Sequence, residues 1–359
     1  MKKYLVLENG MSFCGEGFGF DKEATAEIVF ATSMTGYIET LTDPSYTGQA
    51  VVQTFPLIGN YGIIPADFES GKIGASAYIV REHCIHPSNF RSEMTLDAFL
   101  YENGIPGLSG IDTRALTRIL REHGTMNGCI TKNPKHVDLK KISSFKIEKP
   151  VKKVSSKEIS FCGTGNGKYK IAVWDFGTKQ NIIRSLLARD CDVIMFPHNT
   201  KAEKMLSFSP DGILLTNGPG DPVDNTDAIK TLKRILPLKV PIMGICLGHQ
   251  LLALANGFST GKLPYGHRGA NQPVREEGGN TYITSQNHGY AVINDSINKE
   301  IASELFVNVN DSTNEGLSYK NAPAFSVQFH PEACGGPHDT DFLFSRFINI
   351  VEGCKNAVK

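Results

Sequence analysis

The stretch Gly244-Ile-Cys246-Leu-Gly248 places a cysteine between two glycines, each two residues away. It follows a short apolar run, Val240 to Ile245, and precedes a helical run, Gln250 to Ala255, that ends on Asn256-Gly257. A strand that turns sharply into a helix needs small residues on both sides of the turn, because side chains there would collide. Such an elbow lifts the central side chain clear and aims the first helical N–H groups at the same point. Cys246 is therefore a candidate nucleophile for acyl transfer. The competing reading is a buried structural cysteine, the ordinary fate of a free thiol.

A nucleophilic thiol needs a base, and the base needs a group to orient it. His330 follows an apolar run, Ala324 to Phe329, and Glu332 lies two residues on, on the same side of an extended backbone. His330 and Glu332 are the candidate base and orienter; a histidine simply packed at a sheet edge is the alternative. His249 is expected to point down the elbow helix, and His267, His288 and His338 are expected in loops facing solvent. His83, Cys84 and His86 are metal ligands by type. His83 and Cys84 would face opposite sides of an extended segment, which favours two exposed histidines and no metal site.

The elements that must position these groups follow from periodicity. From Ile171 onward, apolar strands alternate with amphipathic helices: Ile171–Gly177, a helix from Asn181 to Arg189, Val193–Phe196, Gly212–Thr216, a helix around Ala228 to Leu236, then the elbow strand. That alternation predicts a parallel sheet whose ligands gather at the carboxyl ends of the strands. Asn217-Gly-Pro-Gly220 and the elbow both fall at such ends, so two glycine loops should share one pocket. Further strands follow Tyr282, and Asp339 to Val351 reads as a closing helix.

The first part of the chain, to about Val80, reads as short strands and turns, beginning with a hairpin around Glu8-Asn-Gly10. Gly15-Glu-Gly-Phe-Gly19 has no following helix and reads as a turn rather than a phosphate loop. Ser33–Tyr37 and Leu41–Tyr46 read as ordinary loops. Asp112 to Gly124 is a capped amphipathic helix with an arginine stripe at 114, 118 and 121. The lysine- and serine-rich stretch after Asn133 reads as a connection. The expected division is 1–150, a linker over 151–169, and 170–359.

Lys and Arg together number 37 and Asp and Glu 37, so there is no electrostatic footprint for nucleic acid. No apolar run is long enough to span a bilayer and the N-terminus does not read as a signal peptide. Eight scattered cysteines without paired spacing fit a reducing compartment, so a cytoplasmic protein is expected.

Together, Gly244–Gln250, Asn217-Gly-Pro-Gly-Asp221 and His330-Pro-Glu332 resemble the class I, triad-type glutamine amidotransferases. Ser33–Tyr37, Leu41–Tyr46, Ile58-Gly-Asn-Tyr-Gly62, Ile111-Asp-Thr-Arg114 and Gln286-Asn-His-Gly-Tyr290 resemble the small, glutamine-hydrolysing subunits of carbamoyl phosphate synthetases. The resemblance covers nearly the whole chain and is weakest from Asn133 to Lys168. It implies an α/β protein: a mixed, β-rich N-terminal domain, then an amidotransferase domain with a mostly parallel central sheet. It implies Cys246, His330 and Glu332 as the catalytic triad. A glutamine pocket of Ser45, Gly218, Gly220, Leu247, Gln250, Asn287, Gly289 and Tyr290 is implied likewise. Tyr290 stands where relatives often carry phenylalanine, and Gly266–Pro273 departs slightly from the family pattern. No cofactor is implied in this chain. ATP and magnesium would belong to a large synthetase subunit, contacted chiefly through the N-terminal domain. Rival readings are a glutaminase serving another synthase, a stand-alone γ-glutamyl cysteine hydrolase, and a scaffold that has lost catalysis.

Overall fold

The computed structural model describes residues 1–357. They form two compact units that divide after Glu148.

The first unit carries β1 (Lys2–Leu7), β2 (Ser12–Gly19), β3 (Ala24–Ala31), β4 (Gln49–Gln53), β5 (Leu57–Ile58), β6 (Ala77–Ile79), β7 (Glu82–His83), β8 (Pro106–Ser109) and β9 (Met126–Thr131). Seven of these close a barrel in the order β1-β2-β8-β6-β4-β3-β9, and β5 pairs with β7 as a separate ribbon. Closure removes the exposed edges that seven short strands would otherwise present. Gly15–Gly19, expected as a turn, lies within β2. Its glycines admit a close neighbour: a Cβ on Gly15 would stand 2.3 Å from the Ser109 carbonyl oxygen. Residues 33–36 form a loop, as expected, but Leu41–Tyr46 is more than one. Tyr37–Thr42 is helical, Pro44–Tyr46 is a 3₁₀ turn, and Tyr37, Ile38, Leu41 and Tyr46 are core residues. Tyr37, Ile38 and Leu41 lie at helical spacing, a stripe that the polar letters around them concealed. The helix Thr113–His123 starts where expected, with the Asp112 carboxylate accepting the Ala115 N–H at 2.9 Å.

The second unit is a ten-stranded sheet: β10 (Ser160–Cys162), β11 (Tyr169–Asp175), β12 (Cys191–Pro197), β13 (Gly212–Leu215), β14 (Ile242–Ile245), β15 (Thr260–Glu276), β16 (Thr281–Val292), β17 (Ala302–Asn308), β18 (Asn314–Tyr319) and β19 (Ala324–Val327). The order is β10-β12-β11-β13-β14-β19-β18-β17-β15-β16. β12, β11, β13, β14 and β19 run parallel, and an antiparallel extension is built from β15 to β18. The parallel strands are apolar on both faces because both are covered. Ala172 and Trp174 pack with Leu232, Ile235 and Leu251 on one side. Ile171 and Val173 meet Ile182, Leu186, Phe344 and Phe347 on the other. Each large side chain so buried contributes about 1.5–3 kcal/mol.

The stretch expected as a linker, 151–169, is partly structured. Pro150–Val154 is helical with Val151 in the core, and β10 pairs antiparallel with β12. Among the described residues no helix is long and apolar enough to cross a membrane.

Candidate active site

β14 ends at Ile245 and the helix Leu247–Ala255 begins two residues later. Cys246 is the whole turn between them, at φ 53° and ψ −104°, a left-handed backbone that a residue with a Cβ adopts only under constraint. The constraint comes from both neighbouring strands. The Cys246 N–H donates to the Val327 carbonyl at 2.8 Å and the Gly248 N–H to the Thr216 carbonyl at 3.1 Å. The glycines are required by contact: a Cβ on Gly244 would lie 2.8 Å from the Gly248 carbonyl, and one on Gly248 would lie 2.4 Å from the Leu215 carbonyl oxygen. The thiol is buried, 2% exposed, with Sγ 3.7 Å from the Asn287 carbonyl oxygen. Leu247 heads the helix, so its N–H is among those a helix start leaves without an intrahelical partner.

His330 leaves β19 three residues after Val327 and donates its N–H to the Ser285 carbonyl at 2.9 Å. Its Nδ1 stands 2.6 Å from Glu332 Oε1, and both side chains are buried. Nε2 is buried without a hydrogen-bond partner among the described residues, and the Cys246 sulfur lies near enough to bias the ring's protonation. A third charged group shares this space. Lys179 Nζ lies 3.1 Å from His330 Nδ1 and 3.4 Å from Glu332 Oε1, on a residue only 7% exposed. Burial and Lys179 oppose the imidazolium, while Glu332 and Cys246 favour it more strongly, raising His330 to about 10. Burial works against the Glu332 carboxylate, but His330 and Lys179 outweigh it and hold Glu332 down to about 2.

Lys179 was not singled out in the sequence. It sits in the turn after β11, with no motif around it, and its placement depends on Asp175. That carboxylate accepts the N–H groups of Gly177 and Thr178, both at 2.9 Å, and shapes the turn into the helix Gln180–Leu187. The available signal was its position, since the carboxyl ends of parallel strands are where ligands gather.

The second-unit residues implied for the glutamine pocket converge on the elbow. A Cβ on Gly218 would meet Leu247 Cδ2 at 2.7 Å, and Gly220 adopts φ 91° in the same loop. Gln250 Nε2 donates to the Tyr290 carbonyl at 2.7 Å and to Gln328 Oε1 at 2.9 Å. Asn287, Gly289 and Tyr290 lie on β16. Ser45 belongs to the first unit, where its N–H donates to the Asp43 carboxylate at 2.8 Å within the 3₁₀ turn.

Two of the histidine expectations, those for His267 and His288, need correction. His249 is fully buried, with Nδ1 2.8 Å from Ser326 Oγ, and burial lowers its pKa to about 3. His267 and His288 are neither in loops nor solvent-facing. They are opposed residues of β15 and β16, 9% and 4% exposed. The hairpin's register shifts between Lys262 and His267 and between Gly269 and Gln272, which broke the alternation that would have marked it as a sheet. His338 is exposed in a loop, as expected.

Residues 5–130 match the family described as the carbamoyl-phosphate synthase small chain, CPSase domain. Residues 172–350 match glutamine amidotransferase class-I. A carbamoyl phosphate synthase small chain from Bacillus thuringiensis is 50% identical over 358 residues, covering 99% of this chain and 97% of the relative. One from Clostridium perfringens is 51% identical over 351 residues, covering 97% and 99%. One from Fusobacterium nucleatum is 50% identical over 354 residues, covering 98% of each. With half its residues shared along almost its full length, and with an elbow cysteine in the matching domain, the chain belongs to the family of carbamoyl phosphate synthase small chains, glutamine-hydrolysing proteins with a class I amidotransferase domain.

Proposed function

We propose that Cys246, His330 and Glu332 hydrolyse glutamine through a covalent thioester, and that the ammonia passes to a large synthetase subunit. Cys246 attacks the side-chain amide carbon of glutamine as a thiolate, its proton already held by His330. The tetrahedral oxyanion is met by N–H groups at Leu247 and the Gly218–Gly220 loop, where losing one donor costs on the order of 10²-fold or more in rate. His330 returns the proton to nitrogen, the C–N bond breaks and ammonia departs. His330 then takes a proton from water, which attacks the γ-glutamyl thioester, releasing glutamate and the thiol. Within the second unit, Gly218, Gly220, Leu247, Gln250, Asn287, Gly289 and Tyr290 form the glutamine pocket. ATP, magnesium and bicarbonate are used on the large subunit, and this chain carries no cofactor of its own.

The observation that carries this reading is the buried His330–Glu332 pair, 2.6 Å apart, beside a cysteine held at positive φ on a strand-to-helix turn. The test is carbamoyl phosphate formation by this chain with the large subunit of the same organism, supplied with ATP, bicarbonate and either glutamine or ammonia. Cys246→Ser is expected to remove the glutamine-dependent part alone. If the variant keeps that part, the nucleophile is misassigned; if wild type works with ammonia but never with glutamine, the partner is.

A further inference from the structure

Behind the β16 segment that carries Asn287, Gly289 and Tyr290 lies a second cluster of charged groups. His267 on β15 opposes His288 on β16, and their rings meet edge to face at 4.9 Å. His267 Nε2 lies 2.8 Å from Asp311 Oδ2 and Nδ1 lies 3.2 Å from Glu315 Oε1. With a carboxylate at each ring nitrogen, only an imidazolium donates to both; a neutral ring would aim a lone pair at one of them. Glu315 is fully buried, and its Oε1 also accepts from Asn308 Nδ2 at 3.1 Å. Removing the imidazolium would leave that carboxylate without its charged partner in a dry site.

The cluster reaches the pocket through His288. His288 Nδ1–H donates to the Tyr290 carbonyl at 2.8 Å, and the same oxygen accepts from Gln250 Nε2 at 2.7 Å on the elbow helix. His288 is kept neutral first by burial and then by the neighbouring cations of His267, Arg268 and His330. One carbonyl is thus fixed from the nucleophile's helix on one side and from the His267 cluster on the other.

We propose that His267, clamped between Glu315 and Asp311, is a positioning residue for glutamine: by seating His288 it sets the Tyr290 carbonyl and with it the Asn287–Tyr290 wall of the pocket. The proposal rests on the reading of that segment as glutamine-binding. The groups facing His267 are Glu315 on β18, Asp311 in the turn before it, His288 on β16, Asn308 on β17 and the adjacent Arg268. Burial opposes the imidazolium, but the Glu315 and Asp311 carboxylates outweigh it, so His267 titrates above its ordinary value. The clamp is therefore complete below about pH 6.5 for as long as Glu315, whose own pKa burial raises, stays ionised, and it fades as pH rises through the raised His267 value. His267, His288 and Glu315 also offer donor atoms within 4.8 Å of one another, a spacing a divalent cation could use. Hydrogen bonds already engage those ring nitrogens.

The experiment compares wild type, His267→Gln, Asp311→Asn and His267→Gln/Glu315→Gln across a pH series, with glutaminase kinetics, hydrogen exchange over β16 and thermal unfolding measured on each. His267→Gln should raise KM for glutamine about tenfold, the scale of one lost charged hydrogen bond. Its kcat should stay within about threefold of wild type, because the interaction orders bound substrate. Asp311→Asn, on the open side of the clamp, should move KM the same way by less. The double variant should recover part of the loss by removing the stranded carboxylate. Amides of β16 should exchange faster in His267→Gln while those of β11 and β13 do not. Unchanged β16 exchange would overturn the proposal whatever the catalytic outcome, and faster exchange with unchanged KM would overturn it as a substrate-positioning role. A kcat loss that follows the folded fraction would make the cluster purely structural. Glutamine affinity lost to a chelator and restored by zinc would replace the proton with a metal. A glutaminase that survives Cys246→Ser would instead overturn the site reading, leaving the exchange result to decide this one.

Discussion

Lys179 Nζ stands 3.1 Å from His330 Nδ1, the same ring nitrogen that meets Glu332. A cation there resists protonation of the ring while neutralising the carboxylate that promotes it. Lys179 thus moderates a pair that would otherwise hold its proton too firmly to give it up. Lys179→Met should raise the His330 pKa further and release Glu332 upward from about 2. Removing one partner of a buried charge group should lower glutaminase kcat/KM by about tenfold, the effect of a lost charged hydrogen bond. Histidine-selective ¹⁵N NMR titration reads the shift directly. A His330 pKa that falls in the variant would mean Lys179 acts on something else.

Glu332→Gln tests the other side of the same nitrogen. The carboxylate is among the main influences raising His330, so its neutral replacement should lower the His330 pKa from about 10. On the proposed mechanism the imidazolium that pairs with the Cys246 thiolate would be less stable, and kcat should fall on the order of 10²-fold or more. The alkaline limb of kcat/KM should move to lower pH. The acid side has its own sign. Glu332 is depressed to about 2 from 4.5, so its contribution to stability is complete above 4.5 and is lost as pH falls towards 2. Glu332→Gln should therefore show a shallower loss of stability across that window, read by acid titration of Trp174 fluorescence. Wild-type steepness in the variant would assign the acid transition to other carboxylates.

The elbow was legible because its geometry is written locally: two glycines, a strand before and a helix after. His330 and Glu332 were legible because an extended exit from a strand puts alternate residues on one side. The parallel strands gave themselves away as apolar runs, since both faces are buried. Lys179 was hidden because nothing local distinguishes it, and only the shared carboxyl edge of β11 and β19, with β13 and β14 between them, brings it to His330. His267 and His288 were hidden for a different reason. Their hairpin slips register twice, and the polar residues along it are buried against each other rather than against water. Polarity was therefore a poor guide to exposure there, as it was for Leu41–Tyr46, where Thr42, Asp43 and Ser45 are buried.

Gly248 and Gly257 separate two reasons for being glycine. A Cβ on Gly248 would lie 2.4 Å from the Leu215 carbonyl oxygen and 2.7 Å from Leu215 Cβ, whereas Gly257 has φ 89° and open space around it. Gly248→Ala forces the elbow helix away from β13, straining the Gly248–Thr216 hydrogen bond that holds Cys246 in place. The stability cost should be about 1–3 kcal/mol, as for other overpacked sites. The activity loss should be larger than unfolding accounts for, because Cys246, the proposed nucleophile, is displaced. Gly257→Ala, at the far end of the same helix, should cost about 1 kcal/mol or slightly more from its left-handed backbone and leave kcat unchanged. Trp174 reports both. It is the chain's one tryptophan, fully buried in the second unit, with its indole N–H donating to the carbonyls of Pro197 and His198 at 3.1 Å each. Denaturant unfolding followed at Trp174, paired with glutaminase kcat, distinguishes the two variants. If Gly248→Ala kept full kcat at equal folded fraction, the elbow would tolerate displacement and the strained turn at Cys246 would not be what aims the sulfur.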